Sequence, residues 1–243
     1  MSANFYILVF MDSNTRKQDV LRLVVETFVH TNQPVGSLQV AEQLPYEVSS
    51  ATVRNDMAEM TALDLLKQPH TSAGRVPTEL GYRHYVKMLA NTQKALPESQ
   101  RDNVTRQFKG LADFDSRYKL AVKMLADFSG SVGCLIDTDN RVYISGVGNI
   151  VQLPEFADEN FRIKFSEVLD QPENFIKSLS GVTGSGINVL IGPDAKINNA
   201  TVVISSFGPT GGRKVISIIG PMRMQYNKAL PLIEHMKKIL EEL

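Results

Sequence analysis

The chain has 243 residues, 43% hydrophobic and 21% charged, with 26 basic and 26 acidic side chains and a formal net charge of +0. That length holds one large or two small globular domains, and the composition excludes disorder as the dominant state. Balanced charge supplies no bulk attraction for phosphate, so any nucleic-acid surface has to be built locally.

The first apolar run, Phe5-Tyr6-Ile7-Leu8-Val9-Phe10, is too short to span a bilayer. It also lacks the basic region and small-residue cleavage site of a signal peptide, so no membrane partner is expected. Met11 follows at once and offers a second candidate translation start. Residues 16–31 then read as an amphipathic helix. Val20, Leu21, Val24, Val25, Phe28 and Val29 fall at helical spacing, with Arg16, Lys17, Asp19, Arg22 and Glu26 off that face. Gln33-Pro34-Val35-Gly36 ends it with turn chemistry.

Ser37 is a candidate cap for a short second helix to residue 44, stopped by Pro45. A third helix is expected from Ser49 or Ser50 to about residue 65, burying Val53, Met57, Met60 and Leu63 or Leu65. Leu66-Lys67-Gln68-Pro69, a polar tip at 70–74 and Arg75-Val76-Pro77 predict a β-hairpin. Thr78 caps a fourth helix over 79–90 that turns Tyr82, Tyr85 and Val86 inward. Three helices, a hairpin and a closing helix in this order predict an N-terminal winged helix-turn-helix over residues 12–90.

Residues 91–129 read as a hinge and a long linker helix. Its stripe (Val104, Phe108, Leu111, Phe114, Tyr118, Ala121, Leu125) is too narrow for a core helix and suits packing on a neighbouring domain or subunit. From 130 to 243 strand-like runs are expected at 132–136, 142–147, 188–191, 202–206 and 215–219. Helices are expected at 160–169, 172–179 and 230–243. The fold class is α+β, with a sensor-like C-terminal domain. Cys134 is the single cysteine, which excludes an intramolecular disulfide and a multi-cysteine zinc site. Lying in an apolar run, it reads as a small buried hydrophobe in a reducing cytoplasm.

Two runs carry the functional signal. In Val48-Ser49-Ser50-Ala51-Thr52-Val53-Arg54-Asn55, small residues at a helix start let the backbone approach a major groove. Ser49, Ser50 and Thr52 are candidate docking hydroxyls, and Arg54 and Asn55 sit one turn in, where they can read guanine and adenine. Spacing alone leaves this even with an ordinary capped core helix. The second run decides it: His70, Thr71, Ser72 and Gly74 form a polar hairpin tip followed by Arg75, as a wing needs to touch the sugar-phosphate backbone. A solvated loop histidine remains the plain reading of His70.

These runs, with Asn32-Gln33-Pro34-Val35-Gly36-Ser37, resemble the winged-helix motifs of the bacterial heat-inducible transcription repressor HrcA family. The resemblance continues in Arg141-Val142-Tyr143-Ile144-Ser145-Gly146, Leu153-Pro154-Glu155-Phe156 and Ile219-Gly220-Pro221-Met222-Arg223-Met224-Gln225-Tyr226. It implies a homodimer that represses chaperone genes (the groE and dnaK operons) through an inverted-repeat operator called CIRCE. It also implies a GAF-like dimerisation and regulatory domain over 130–243, and dependence on the GroE chaperonin. The chain resembles a shortened member: the gap falls between Asp137 and Arg141, where the family has further strands and an inserted dimerising domain. Met222 replaces the family's usual threonine, and Asp56 stands where glutamate is common.

Other constellations carry less. Asp137-Thr138-Asp139-Asn140 lacks the glycine and glutamate of a calcium loop and reads as a polar turn. The glycines at 181–186 and 208–212 lack the context of a phosphate cradle, and His30, His70, His84 and His235 lack metal spacing. The expectation is a non-enzymatic, cofactor-free DNA-binding repressor, cytoplasmic and nucleoid-associated, with double-stranded DNA and a second copy of itself as partners. The alternative is a protein-interaction module that binds a chaperone or polymerase and whose winged helix lacks operator specificity.

Overall fold

A computed structural model of the chain describes residues 15–70, 73–92, 95–179, 186–209 and 213–242. The apolar run at 5–10, Met11, Thr71, Ser72 and most of the glycine-rich 181–186 and 208–212 segments lie outside the described residues. The chain divides into two compact units, Met1–Thr92 and Gln93–Leu243.

The first unit is built on α1 (Thr15–Thr31), α2 (Ser37–Gln43) and α3 (Ser50–Ala62), with α4 (Glu79–Thr92) closing it. Val20, Leu21, Val24 and Val25 of α1 are fully buried, as their spacing requires, and meet Val40, Val53 and Met60 in the core. Fully burying such side chains contributes about 1.5–3 kcal/mol each. Asn32, in the left-handed region, ends α1. Gly36, not Ser37, occupies the cap position of α2, and it makes no side-chain cap hydrogen bond.

α3 stops three residues sooner than expected. Asp64 takes a positive φ of 58°, and the Leu65 N–H turns back to the Met60 carbonyl at 2.9 Å. This satisfies the helix end and sends the chain directly into β1 (Leu66–Lys67). β1 pairs antiparallel with β2 (Val76–Pro77), Leu66 opposite Pro77 and Lys67 opposite Val76. An isolated antiparallel bridge joins Val35 to Arg75 and ties the α1–α2 connection to the hairpin. The Thr78 hydroxyl accepts from the Gly81 N–H at 3.1 Å and starts α4.

The second unit begins with α5 (Glu98–Phe108) and α6 (Phe114–Ser129). These replace the single linker helix expected over this stretch. Gly110, at φ 88°, breaks the helix, and Asp113 restarts it by accepting the Ser116 N–H at 2.8 Å. The stripe is not a docking seam left open: Val104, Ala121 and Leu125 are fully buried within this chain, while Phe114 stays half exposed.

The rest of the unit is a five-stranded antiparallel sheet: β3 (Val132–Ile136), β4 (Val142–Ser145), β5 (Ile187–Ile191), β6 (Ala200–Phe207) and β7 (Lys214–Pro221), in the order β4-β3-β7-β6-β5. α6 packs on β3 and β4, and α10 (Tyr226–Glu241) on β6 and β7, covering one face. α7 (Val147–Val151), α8 (Glu159–Asp170) and α9 (Pro172–Leu179) contribute Ile150, Phe161, Phe165, Val168, Ile176 and Leu179 to a core on the opposite side. That core includes Val132, Cys134, Ile136, Val202, Ile204 and Ile219 from the sheet. The alternation of β3 follows the two-residue pleat, and both faces are buried. α10 starts a turn before the expected position, so that Pro231 lies inside it. Among the described residues no helix is long and apolar enough to cross a membrane.

Candidate nucleic-acid interface

The N-terminus of α3 is set by Ser49. Its Oγ accepts the Thr52 N–H at 3.1 Å and lies 2.9 Å from the Thr52 hydroxyl, so both side chains are engaged in capping. From there each residue turns about 100° around the axis. Val53, Asp56, Met57 and Met60 face inward. Ala51, Arg54, Asn55, Ala58, Glu59 and Ala62 are exposed, and Ser50 and Thr52 are half-buried. Ala51, Asn55, Ala58 and Ala62 run down the middle of the outward face, with Arg54 on one flank and Glu59 on the other. Among the described residues, neither Arg54 nor Asn55 has a hydrogen-bonding or ionic partner. Three methyl-sized neighbours leave the backbone beside Asn55 open to close approach.

Two ion pairs hold the other flank. The Arg16 guanidinium meets the buried Asp56 carboxylate in a fork, Nε–Oδ2 2.7 Å and Nη2–Oδ1 3.0 Å. Lys17 Nζ reaches Glu59 Oε2 at 2.6 Å. Hydrogen bonding and charge from Asp56 raise the Arg16 pKa above its ordinary value, so this cation stays charged. The sequence places Arg16 and Lys17 off the apolar face and marks Asp56 as a departure from the family pattern, but it does not pair them with one another or with Glu59. The only available signal was acids three apart on α3 facing adjacent cations on α1, and pairing across 40 residues cannot be read from one chain.

The hairpin is fixed to the same helix. Arg75 Nε donates to Thr61 Oγ1 at 3.0 Å, tying the base of the hairpin to the last turn of α3. The Arg75 N–H donates to the Val35 carbonyl and the Val35 N–H to the Arg75 carbonyl, both at 2.9 Å. Gly74 lies so close to this bridge that a Cβ there would be 2.3 Å from the Val35 oxygen. Gln68 Nε2 donates to the Ala73 carbonyl at 3.0 Å, and the Ala73 N–H to the His70 carbonyl at 2.9 Å, closing the tip; the His70 side chain is exposed. Thr71 and Ser72 lie outside the described residues. The structure thus places Ser49, Ser50, Thr52, Arg54 and Asn55 on one helix start, with Gly74 and Arg75 at the hairpin base beside that helix's other end.

An open groove of about 760 Å³ runs beside the helix start, lined by Leu38, Leu44, Tyr46 and Val48 with Glu42 and Glu47. In the second unit, the Asp137 Oδ1 accepts the Asp139 and Arg141 N–H groups, each at 2.9 Å, and its Oδ2 accepts Arg141 Nε at 2.7 Å. The acidic stretch between β3 and β4 is therefore a self-satisfied turn. Cys134 is buried, and desolvation pushes its thiol pKa up to about 12. Among the described residues no group of three or more His, Cys, Asp or Glu is placed to hold a metal ion.

Residues 84–230, more than half of the chain, match the family model described as the HrcA protein C terminal domain. The chain belongs to the HrcA family. It is 45% identical over 117 residues to the heat-inducible transcription repressor HrcA of Acidothermus cellulolyticus, covering 48% of this chain and 34% of that protein. It is 43% identical over 128 residues to the protein of that name from Thermomicrobium roseum, covering 52% of this chain and 36% of the relative. The chain thus spans about a third of the length of the curated HrcA relatives it matches. Among solved structures it resembles the crystal structure of a hypothetical protein at 2.2 Å resolution, with a TM-score of 0.76 and 20% identity. That likeness covers 94% of this chain and 96% of the other, and is one of fold.

Proposed function

We propose that the first unit is a winged helix-turn-helix that binds double-stranded DNA, and that this HrcA-family chain is a sequence-specific transcriptional repressor. The observation that carries the reading is the outward face of α3: Arg54 and Asn55 are exposed and without partners among the described residues, beside a hairpin bound to the same helix through Arg75 and Thr61. Two polar side chains without a partner among the described residues, set among small neighbours, suit groove insertion. Arg54 would read guanine and Asn55 adenine, while Ser49, Ser50 and Thr52 dock the helix start against phosphate. The wing, with His70, Thr71, Ser72, Gly74 and Arg75, would hold the duplex backbone. The name of the relatives, heat-inducible transcription repressor, supports heat-inducible genes as targets; the groE and dnaK operons and a CIRCE-type inverted repeat follow from the family resemblance alone. The sheet flanked by helices on both faces supports a GAF-like fold for the second domain; its dimerisation and regulatory role, with GroE as a further partner, follow from the family resemblance alone. Two-fold symmetry would then set the half-site spacing at one or more helical turns.

The test is fluorescence anisotropy on an inverted-repeat duplex against a scrambled duplex at fixed salt. Arg54→Ala and Asn55→Ala should each cost about 1–3 kcal/mol on the operator and relax base preference at one position per half-site. Unchanged operator affinity in both variants refutes the contact assignment. A second reading, a protein-interaction module, is favoured by the groove beside α3, where Leu38 is 62% and Tyr46 40% exposed. It predicts equal affinity for operator and scrambled DNA.

A further inference from the structure

α3 carries one cation, Arg54, and two acids, Asp56 and Glu59, so alone it would present a net negative helix to a polyanion. Both acids are closed from outside the helix, and by consecutive residues: Arg16 on Asp56 and Lys17 on Glu59. Counting these partners, the local charge moves from minus one to plus one.

The spacing has a geometric consequence. Asp56 and Glu59 are separated by about 4.5 Å along α3 and about 60° around it. Contacts at two such points fix both the tilt and the roll of the helix. The Arg16 fork adds planarity, since two parallel N–O contacts resist twisting where a single point charge does not. Roll is what base reading depends on. A roll of about 20° moves the side-chain envelope by about 2 Å, well beyond the roughly 0.5 Å tolerance of a productive contact set. Arg54 and Asn55 immediately precede Asp56, so they follow any such roll directly.

We infer that Arg16 and Lys17 are positioning residues for DNA reading: they fix the roll of α3 and mask its two acids, without themselves contacting phosphate. The inference rests on the DNA-binding reading above and deepens it. The full chain first selects a duplex from a randomised library. Variants are then titrated on that duplex and on a scrambled one over a salt series, each well below its own melting temperature. Lys17→Gln exposes an uncompensated Glu59, which is 53% exposed at the side chain. Operator affinity should fall about tenfold, with the slope of log affinity against log salt unchanged. Adding Glu59→Gln should bring the double variant back to within about threefold of wild type. Direct phosphate contact by Lys17 would lower the slope by about one and leave the double variant as weak as the single; that result overturns the inference. Arg16→Gln combined with Asp56→Asn should lose about tenfold in discrimination between operator and scrambled DNA at unchanged scrambled-DNA affinity. Retained discrimination in this pair also overturns it. A wild-type chain that enriches no sequence refutes the DNA-binding reading and this inference together; enrichment with either failed variant result refutes the inference alone.

Discussion

Gly74→Ala tests whether the hairpin is held by the backbone bridge to Val35. The added Cβ would lie 2.3 Å from the Val35 oxygen, 2.4 Å from its carbonyl carbon and 2.8 Å from its nitrogen. All three are backbone atoms, so no side chain can swing away to relieve the contact. The two strands must separate, and the first bonds lost are the reciprocal pair between Val35 and Arg75, each 2.9 Å. At about 0.5–1.5 kcal/mol net per hydrogen bond, and about 1–3 kcal/mol for the overpacking that remains, the substitution should cost about 2–6 kcal/mol. A unit of this size has a stability of about 4–12 kcal/mol, so the change is a large fraction of the whole. The melting midpoint of the first unit should drop by at least about 10 °C. Hydrogen exchange is the sharper assay: peptides covering 33–37 and 73–77 should lose protection, while DNA affinity weakens alike on all sequences as the wing moves. Wild-type protection in both peptides, with a midpoint unchanged within about 2 °C, would refute the claim that this close approach anchors the hairpin.

Gly36 is the opposite case in the same unit. Nothing lies within 4 Å of its Cβ position, its φ of −85° and ψ of 151° suit any residue, and α2 lacks a capping side chain. Gly36→Ser should therefore stabilise by a few tenths to about 1 kcal/mol, read as a rise in the same melting midpoint. For Cys134, burial raises the thiol to about 12 in the folded protein against about 8.5 unfolded. The raised folded value means this contribution is intact below the unfolded pKa and is lost as pH climbs towards the folded one. Denaturant titrations should show stability falling by about 1.4 kcal/mol per pH unit between about 8.5 and 12, an increment missing in Cys134→Ala. Iodoacetamide should label Cys134 only under unfolding conditions.

What the sequence disclosed follows from how local each cause is. The start of α3 was legible because the Ser49 cap acts within three residues, and the β1–β2 hairpin because its turn chemistry is contiguous. The end of α3 was not, since Asp64 adopts a left-handed conformation more usual for glycine. α5 and α6 were fused into one stripe because a single helical period was carried across residues 109–113. The break shifts the phase, so Val122 and Met124, both buried, were left out of a stripe that then looked thin. α10 was started late because Pro231 is more at home in a first turn than inside a helix. The Arg16–Asp56 and Lys17–Glu59 pairs depend on how α1 crosses α3, which no local pattern encodes.

The residues expected at the interface divide according to what the fold already asks of them. Ser49 and Thr52 cap α3, Gly74 permits the bridge to Val35, and Arg75 ties the hairpin to Thr61. Changing any of these alters the structure first and recognition second, so a loss of binding there says little about contact. Arg54 and Asn55 have no such employment among the described residues: exposed, without partners there and flanked by alanines, they add nothing to packing or polar satisfaction. A surface helix gains from pairing its polar groups along its own face, and α3 leaves these two unpaired among the described residues while closing both of its acids from α1. That asymmetry is hard to account for by stability. If recognition is its cause, substitutions at Arg54 and Asn55 should change DNA discrimination at constant melting temperature, whereas those at Gly74 and Arg75 should move both together.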